Sequence, residues 1–327
     1  MPKQMDEPKK HHYVPAFYLR GWDRPKTGKL VEFRRLPGKL GIKKVTAQNT
    51  GFQKLLYSYA SDDAAGMDHT FESEYLSSLD NDGANALRVI NELEPRFTDE
   101  VKVTWSRLMV SLMTRSPEDV NAFNKSLEFM REKPSPMRQR LIASMCKEFD
   151  IETQEAEEVM ASLRPQDVSF AAFKALGHLI EWSKLIPVLC AMTWRVRDLQ
   201  NAKYTLLTSD RPVLNNQELA MPSGLLAMPV SPTRLLILHG SKSPDADHLR
   251  YSSEDIVVRS CNQLIVEAAR QYVWSTSQDQ ERFVSNRIGK KKELSVSEIA
   301  LLATQKVEDP LSIQSFLKAA KLVGAMG

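Results

Sequence analysis

The pattern of apolar and polar positions divides the chain into three stretches. Residues 11–60 hold short apolar runs, HHYVPAFYL and KLVEFRR, interrupted by Gly21, Pro25, Gly28, Pro37, Gly38 and Gly41. That pattern predicts short strands joined by turns. Pro15 bars its segment from a central strand, so an edge strand ending in a turn is expected there. From about 71 to 185 the period becomes helical. Val101, Trp105, Leu108, Met109 and Leu112 fall on one helix face, with Thr98 as cap and Asp99 and Glu100 in the first turn. Pro117 opens another helix after Ser116, and Pro134 and Pro136 separate it from MRQRLIASMCKEF. Further helices are predicted over about 152–163 and 167–185. Beyond Pro187, VLCAMTWRVRDL, YTLLTSD, LLAMPV and RLLILHG read as four strands. A helix over about 253–270, a strand at QYVWS and terminal helices follow.

The simplest packing of these elements is α+β. One mixed or antiparallel sheet collects the N-terminal and C-terminal strands, and the helices of about 71–185 form a large insertion. Residues 1–10 read as a mobile arm, 11–288 as the α+β domain, and 289–327 as a charged linker with helices.

Composition sharpens this picture. A chain of 327 residues with 42% hydrophobic side chains can bury a large core, which excludes disorder or a fibrous repeat as a description of the whole. The net charge of +3 argues neither for nor against nucleic acid. Placement says more, because basic residues gather between Lys3 and Lys44 and again at Arg287 and Lys290-Lys291-Lys292. Such runs either contact phosphates or form a solvated positive face. Cys146, Cys190 and Cys261 are too far apart for a disulfide framework or a zinc-cysteine site. Cys146 and Cys190, in apolar runs, are expected to be buried. The charged start MPKQMDEPKK does not read as a secretory signal, and no run approaches the ~20 apolar residues of a membrane span. A soluble, cytoplasmic protein with no membrane partner is expected. The pattern assigns no oligomeric state.

The stretch HHYVPAFYLRGW sets two histidines inside a hydrophobic frame and ends on Arg20. In an extended segment His11 and His12 point to opposite faces, so only one can face a given pocket. Histidine suits general-base work or metal ligation near neutral pH, while a structural His that caps a sheet is the competing reading. In LLTSDRPV, Ser209 and Asp210 stand at a strand end before Pro212. They form either a simple turn or a polar group presented to a cleft, where Asp210 could orient a His, hold a metal or anchor Arg20 or Arg115. Arg115, in MTRSP, closes a helix and serves either its C-terminus or a phosphate or carboxylate ligand. Glu72 and Glu74, near His69, are candidate acids, although acids in a first helical turn are common.

The stretch H-H-x-V-P-x-F-Y-L-R resembles the signature of a bacterial domain-of-unknown-function family, numbered four-two-three-eight. AQNTGFQKLLYSY, MTRSP, LLTSDRPV and Asn262 in SCNQLIVEAARQYVWS fit its pattern in order, so the resemblance covers roughly residues 10–275. The family more often shows Gln after the proline and Asn-Phe after Leu-Arg, where this chain has Ala16 and Gly21-Trp22. The resemblance implies a bacterial origin and, through members associated with phage-defence loci, a defence role. It implies no particular reaction.

Taken together, His, Asp, Glu and Arg are the ingredients of metal-assisted phosphodiester hydrolysis. The leading expectation is a nuclease or phosphodiesterase. His11 or His12 would act as base or ligand; His12, Glu72 and Asp210 would hold Mg²⁺ or Mn²⁺; Arg20 and Arg115 would clamp phosphate; Ser209 and Asn262 complete the candidate set. HH followed by an aliphatic residue and Pro also resembles the first strand of small His-metal nucleases, without their second half. A Walker motif, GxGxxG after a strand, HExxH and GxSxG are all lacking, so no nucleotide or flavin cofactor is expected. Nucleic acid is the expected partner. The competing expectation is a non-catalytic sensor in which HHYVP and TSDRP lock the two ends of the sheet, with a phage or host protein as trigger.

Overall fold

The computed structural model describes residues 10–60, 67–134, 136–162, 183–216 and 218–291, with Leu294, Ser295, Glu298 and scattered positions between 164 and 181. Nearly all of the expected N-terminal arm, about half of the expected helical stretch over 167–185 and most of segment 289–327 lie outside the described residues.

Twelve strands are described. They are β1 Lys10–His12, β2 Leu30–Leu36, β3 Lys39–Val45, β4 Phe52–Lys54, β5 Tyr59–Ala60, β6 Met67–Asp68, β7 Thr193–Asp198, β8 Thr208–Ser209, β9 Leu214–Asn215, β10 Leu225–Ser231, β11 Arg234–His239 and β12 Tyr272–Ser275. The fold is α+β and its strand pairs are antiparallel. One four-stranded sheet, ordered β3-β2-β12-β8, joins the N-terminal hairpin to strands from the far end of the chain, as the pattern anticipates. The strands do not all enter it. β7-β11-β10-β9 form a second four-stranded sheet, and β1-β4 and β5-β6 are small pairs.

The second sheet explains the unbroken apolar runs LLAMPV and LLIL. One face carries Leu226, Met228, Leu236 and Leu238 into the main core, and the other carries Ala227, Leu235 and Ile237 into a separate cluster. A strand covered on both faces has no polar alternation to show.

The helical stretch opens with a π-helical segment, Phe71–Leu76, and continues as α2 Ser77–Ile90. Then come α3 Asp99–Leu112, α4 Pro117–Glu132, α5 Pro136–Phe149 and α6 Thr153–Ser162. The caps are those expected: Thr98 Oγ1 accepts from Val101 N and Ser116 Oγ from Asp119 N. Trp105, Leu108, Met109 and Leu112 on the expected face of α3 are buried.

Two strand expectations give way to helix. Ala16–Leu19 is a short helix, α1, because Pro15 stands at its N-cap, where its missing N–H costs nothing. Leu185–Ala191 is helix α7, so only the second half of VLCAMTWRVRDL forms β7. Helices α8 Pro244–Tyr251, α9 Glu254–Ala268 and α10 Glu281–Ser285 follow. Cys261 is buried, whereas Cys146 and Cys190 are half-buried.

The HHYVPAFYLRGW stretch is wholly structured. Tyr13, Val14, Tyr18, Leu19 and Trp22 are buried in the main core beside residues of α2, α3 and β10. Tyr13 N and Val14 N both donate to Gly51 O, at 3.0 and 3.1 Å. Gly51 has φ +65°, and a Cβ there would stand 2.9 Å from Leu19 Cδ1 and 3.0 Å from Val14 O. Glycine is the residue that both the left-handed backbone and the close approach require.

Candidate functional site

The two histidines of β1 part as an extended strand dictates: His11 is fully buried and His12 half-buried. Tyr57 N donates to His11 Nδ1 at 2.9 Å. An amide N–H can only donate, so this nitrogen is the acceptor and the neutral ring carries its proton on Nε2. His11 Nε2 lies 3.3 Å from His69 Nδ1, which is also 2.7 Å from Ser58 Oγ. The His11 ring stacks on Tyr57 and meets His69 edge-on. Both His11 nitrogens are therefore engaged in holding β1 against the 57–69 segment.

His12 faces a different set of groups. Its backbone N–H donates to Glu72 Oε1 at 3.3 Å. The imidazole is hydrogen-bonded to the Gln48 backbone, while Nε2 is buried without a partner. Burial holds the pKa of His12 down to about 4, and the charges of Arg115, Lys10 and Arg20 push the same way. His12 is thus a neutral imidazole among three cations.

Glu72, in the π-helical turn, is half-buried, and its Oε2 is buried without a partner. Burial raises its pKa to about 7 against the opposing pull of Arg115. Arg115 follows α3 and is fully buried. Its Nη1 pairs with Asp80 Oδ1 of α2 at 2.9 Å, its Nε donates to Tyr13 O at 3.1 Å, and Tyr57 Oη donates to its carbonyl at 2.6 Å. Its Nη2 has no partner. Asp80 escaped the sequence reading. The signal was an acid beside Leu79 on a helix that turns an apolar face inward.

The remaining candidates are placed elsewhere in the network. Asp210 is buried, and its carboxylate accepts backbone N–H bonds from Arg270 at 2.9 Å, Gln271 at 2.6 Å and Tyr272 at 2.9 Å. Burial nevertheless raises its pKa to about 6, those three bonds pulling it down. Asn262 of α9 accepts from Leu207 N and donates to Thr205 O and Gln280 Oε1, tying α9 to the segment that leads into β8. Ser209 Oγ accepts from Arg211 N, the simple turn. Arg20 is exposed, and its charge acts on His12 and Asp23.

The N-terminal motif also grips the Leu206–Thr208 stretch. Tyr18 Oη lies 2.8 Å from Thr208 Oγ1 and donates to Pro229 O at 2.7 Å, and Trp22 Nε1 donates to Leu206 O at 2.8 Å. His12, Glu72 and Arg115 are thus brought together, whereas Asp210, Ser209 and Asn262 bond backbone and one another's neighbourhood. Among the described residues no three His, Cys, Asp or Glu side chains form a metal-binding group. No helix among them is long and apolar enough to cross a membrane.

The motif residues and the strands they bind are the parts spanned by a known family. The family model described as "Protein of unknown function (DUF4238)" matches residues 10–279. The chain belongs to the DUF4238 family. The matched span begins at β1 and ends beyond β12, so it takes in every candidate residue of this DUF4238 protein and leaves out only Gln280, a partner of Asn262. No curated protein and no solved structure matches the chain.

Proposed function

We propose that this DUF4238 protein cleaves phosphodiester bonds, with His12, Glu72 and Arg115 as its working groups. One observation carries the reading: His12 Nε2, Glu72 Oε2 and Arg115 Nη2 are each buried without a partner, and Arg115 acts electrostatically on both His12 and Glu72, with Lys10 and Arg20 adding to its effect on His12. An unsatisfied buried polar atom costs about 1–3 kcal/mol, so three on electrostatically coupled residues favour a ligand that satisfies them. The cations favour an anionic ligand, and guanidinium suits phosphate.

The roles follow from protonation. Neutral His12 accepts a proton from the attacking water as its oxygen bonds to phosphorus. Glu72, half protonated near neutral pH, gives its proton to the departing oxygen as the old P–O bond breaks. Arg115 stabilises charge on the phosphoryl oxygens from inside, and Arg20 meets the substrate at the rim. Nucleic acid is the substrate class, and phage defence in bacteria is the setting.

A divalent ion fits this scheme in one form. Mg²⁺ is commonly held by one or two carboxylates together with substrate phosphates, and Glu72 supplies one. Asp210, whose oxygens already accept three N–H groups, is a poor second.

The test is digestion of DNA, RNA and tRNA with Mg²⁺, with Mn²⁺ and with a chelator. Cleavage lost in His12→Ala and Glu72→Gln supports the assignment, and cleavage that survives the chelator assigns the chemistry to the side chains alone. A second reading, a sensor for a phage or host protein, draws on the Tyr18, Trp22 and Asp210 contacts, which tie the N-terminal motif to residues 206–208 and Asp210 to the start of β12.

A further inference from the structure

A concavity with arginines in its lining lies between β7, β11 and helix α8, formed by residues other than those of the proposed cleavage site. It has a volume of about 280 Å³ and is lined in part by Arg195, Arg197, Ile237, His239, Asp247 and Arg250. The strand register explains its charge. Arg195 pairs with Ile237 and Arg197 with Leu235, so the two arginines share the sheet face on which β11 presents Leu235 and Ile237. That face is covered by the apolar residues of α8 and α9 over most of its area. At the β7 edge the arginines replace apolar residues, and the packing opens into a cavity.

The arginines are not consumed by structure. Arg197 Nη2 donates to Ser252 O, but its Nη1 is buried without a partner. Its charge reaches far enough inward to act on the buried Cys261 thiol. Among the described residues no carboxylate pairs with Arg195, Arg197 or Arg250; Arg250 lies over the ring of Tyr251, 5.1 Å from its centre. Two acids belong to the lining, Asp198 and Asp247. Asp198 is turned to other work: Oδ1 accepts from Gln200 N and Oδ2 stands 4.0 Å from Arg234. The lining therefore holds three arginines against one remaining carboxylate, that of Asp247.

We propose that this cavity binds the phosphoryl group of a small molecule of mononucleotide size. Guanidinium forks match phosphate oxygens, and Ile237 and Ala246 offer an apolar wall to the rest of the ligand. A cavity of this volume sits at the small end of ligand pockets, which suits one nucleotide and not a strand.

Calorimetric titration of the full chain with AMP, adenosine and pyrophosphate tests it, in wild type and in Arg195→Ala, Arg250→Ala and the exposed control Arg259→Ala. The expected result is binding of AMP or pyrophosphate, none of adenosine, and a loss of about tenfold or more in each pocket variant but not in the control. Tighter AMP assigns a nucleotide; tighter pyrophosphate assigns a free phosphate anion. Absence of binding by both, or binding indifferent to Arg195 and Arg250 in folded variants, overturns the proposal. Nuclease activity plays no part in this readout.

Discussion

At the scale of single residues, the site rests on neighbours that set charge. Glu72 carries a pKa of about 7 because it is buried, and His12 one of about 4 because burial and three cations act together. If His12 is the base and Glu72 the acid, activity holds between these values and falls as pH rises above about 7. Glu72→Gln should remove the alkaline limb together with about two orders of magnitude of rate, read from a pH–rate profile. An unchanged limb would assign it to another group. Arg115 is the residue whose loss should cost the fold most. Arg115→Met leaves Asp80 without its partner, and because the Asp80 side chain keeps 24% exposure the expected cost is about 2–3 kcal/mol. Asp80→Leu in the same chain should recover part of that stability but none of the activity, as denaturant titration beside the cleavage assay would reveal.

At the scale of elements, the HHYVPAFYLRGW stretch is a clasp. β1 pairs with β4, α1 inserts Tyr18 and Leu19 into the core, and the next turn plants Trp22 on the Leu206 carbonyl. Asp210 does the same for the entry into β12 by accepting the amides of Arg270, Gln271 and Tyr272. Asp210→Ala should therefore destabilise by on the order of 3 kcal/mol, with cleavage in the surviving folded protein largely intact. Abolished cleavage at unchanged stability would return Asp210 to the active site.

Much of this scale was legible beforehand. The α3 face, the Thr98 and Ser116 caps, and strands β10, β11 and β12 all follow from period and punctuation. The failures have local causes. Pro15 reads as a strand breaker but starts a helix, and the apolar VLCA run is compatible with either state until its packing decides. At the site, His12, Glu72 and Arg115 were legible as residue types. The occupation of Asp210 was not, because no pattern in LLTSDRPV says that the amides of residues 270–272 will occupy that carboxylate.

At the scale of the whole molecule, the buried charges make stability depend on pH with opposite signs. Folding raises the Glu72 pKa from 4.5 to about 7, so the folded state holds a proton that the unfolded chain has released across that window. The Glu72 contribution is present below 4.5 and is lost as pH rises through about 7. Asp210 behaves alike between 3.8 and about 6. His12 is the reverse, its pKa falling from 6.5 to about 4, so its contribution is lost as pH falls across that range. Glu72→Gln should thus gain stability relative to wild type as pH rises from 4.5 to about 7, seen in melting temperatures across that range. Parallel curves would mean that the Glu72 carboxyl is not buried as described.

The most direct test of the central claim is a single cleavage assay on RNA and DNA, run with and without chelator. It compares wild type with His12→Ala and Glu72→Gln after circular dichroism has verified that each is folded. The account predicts cleavage by wild type and a loss of about a hundredfold or more in both variants. A wild type that cleaves neither nucleic acid, or variants that cleave as fast as it does, would contradict it.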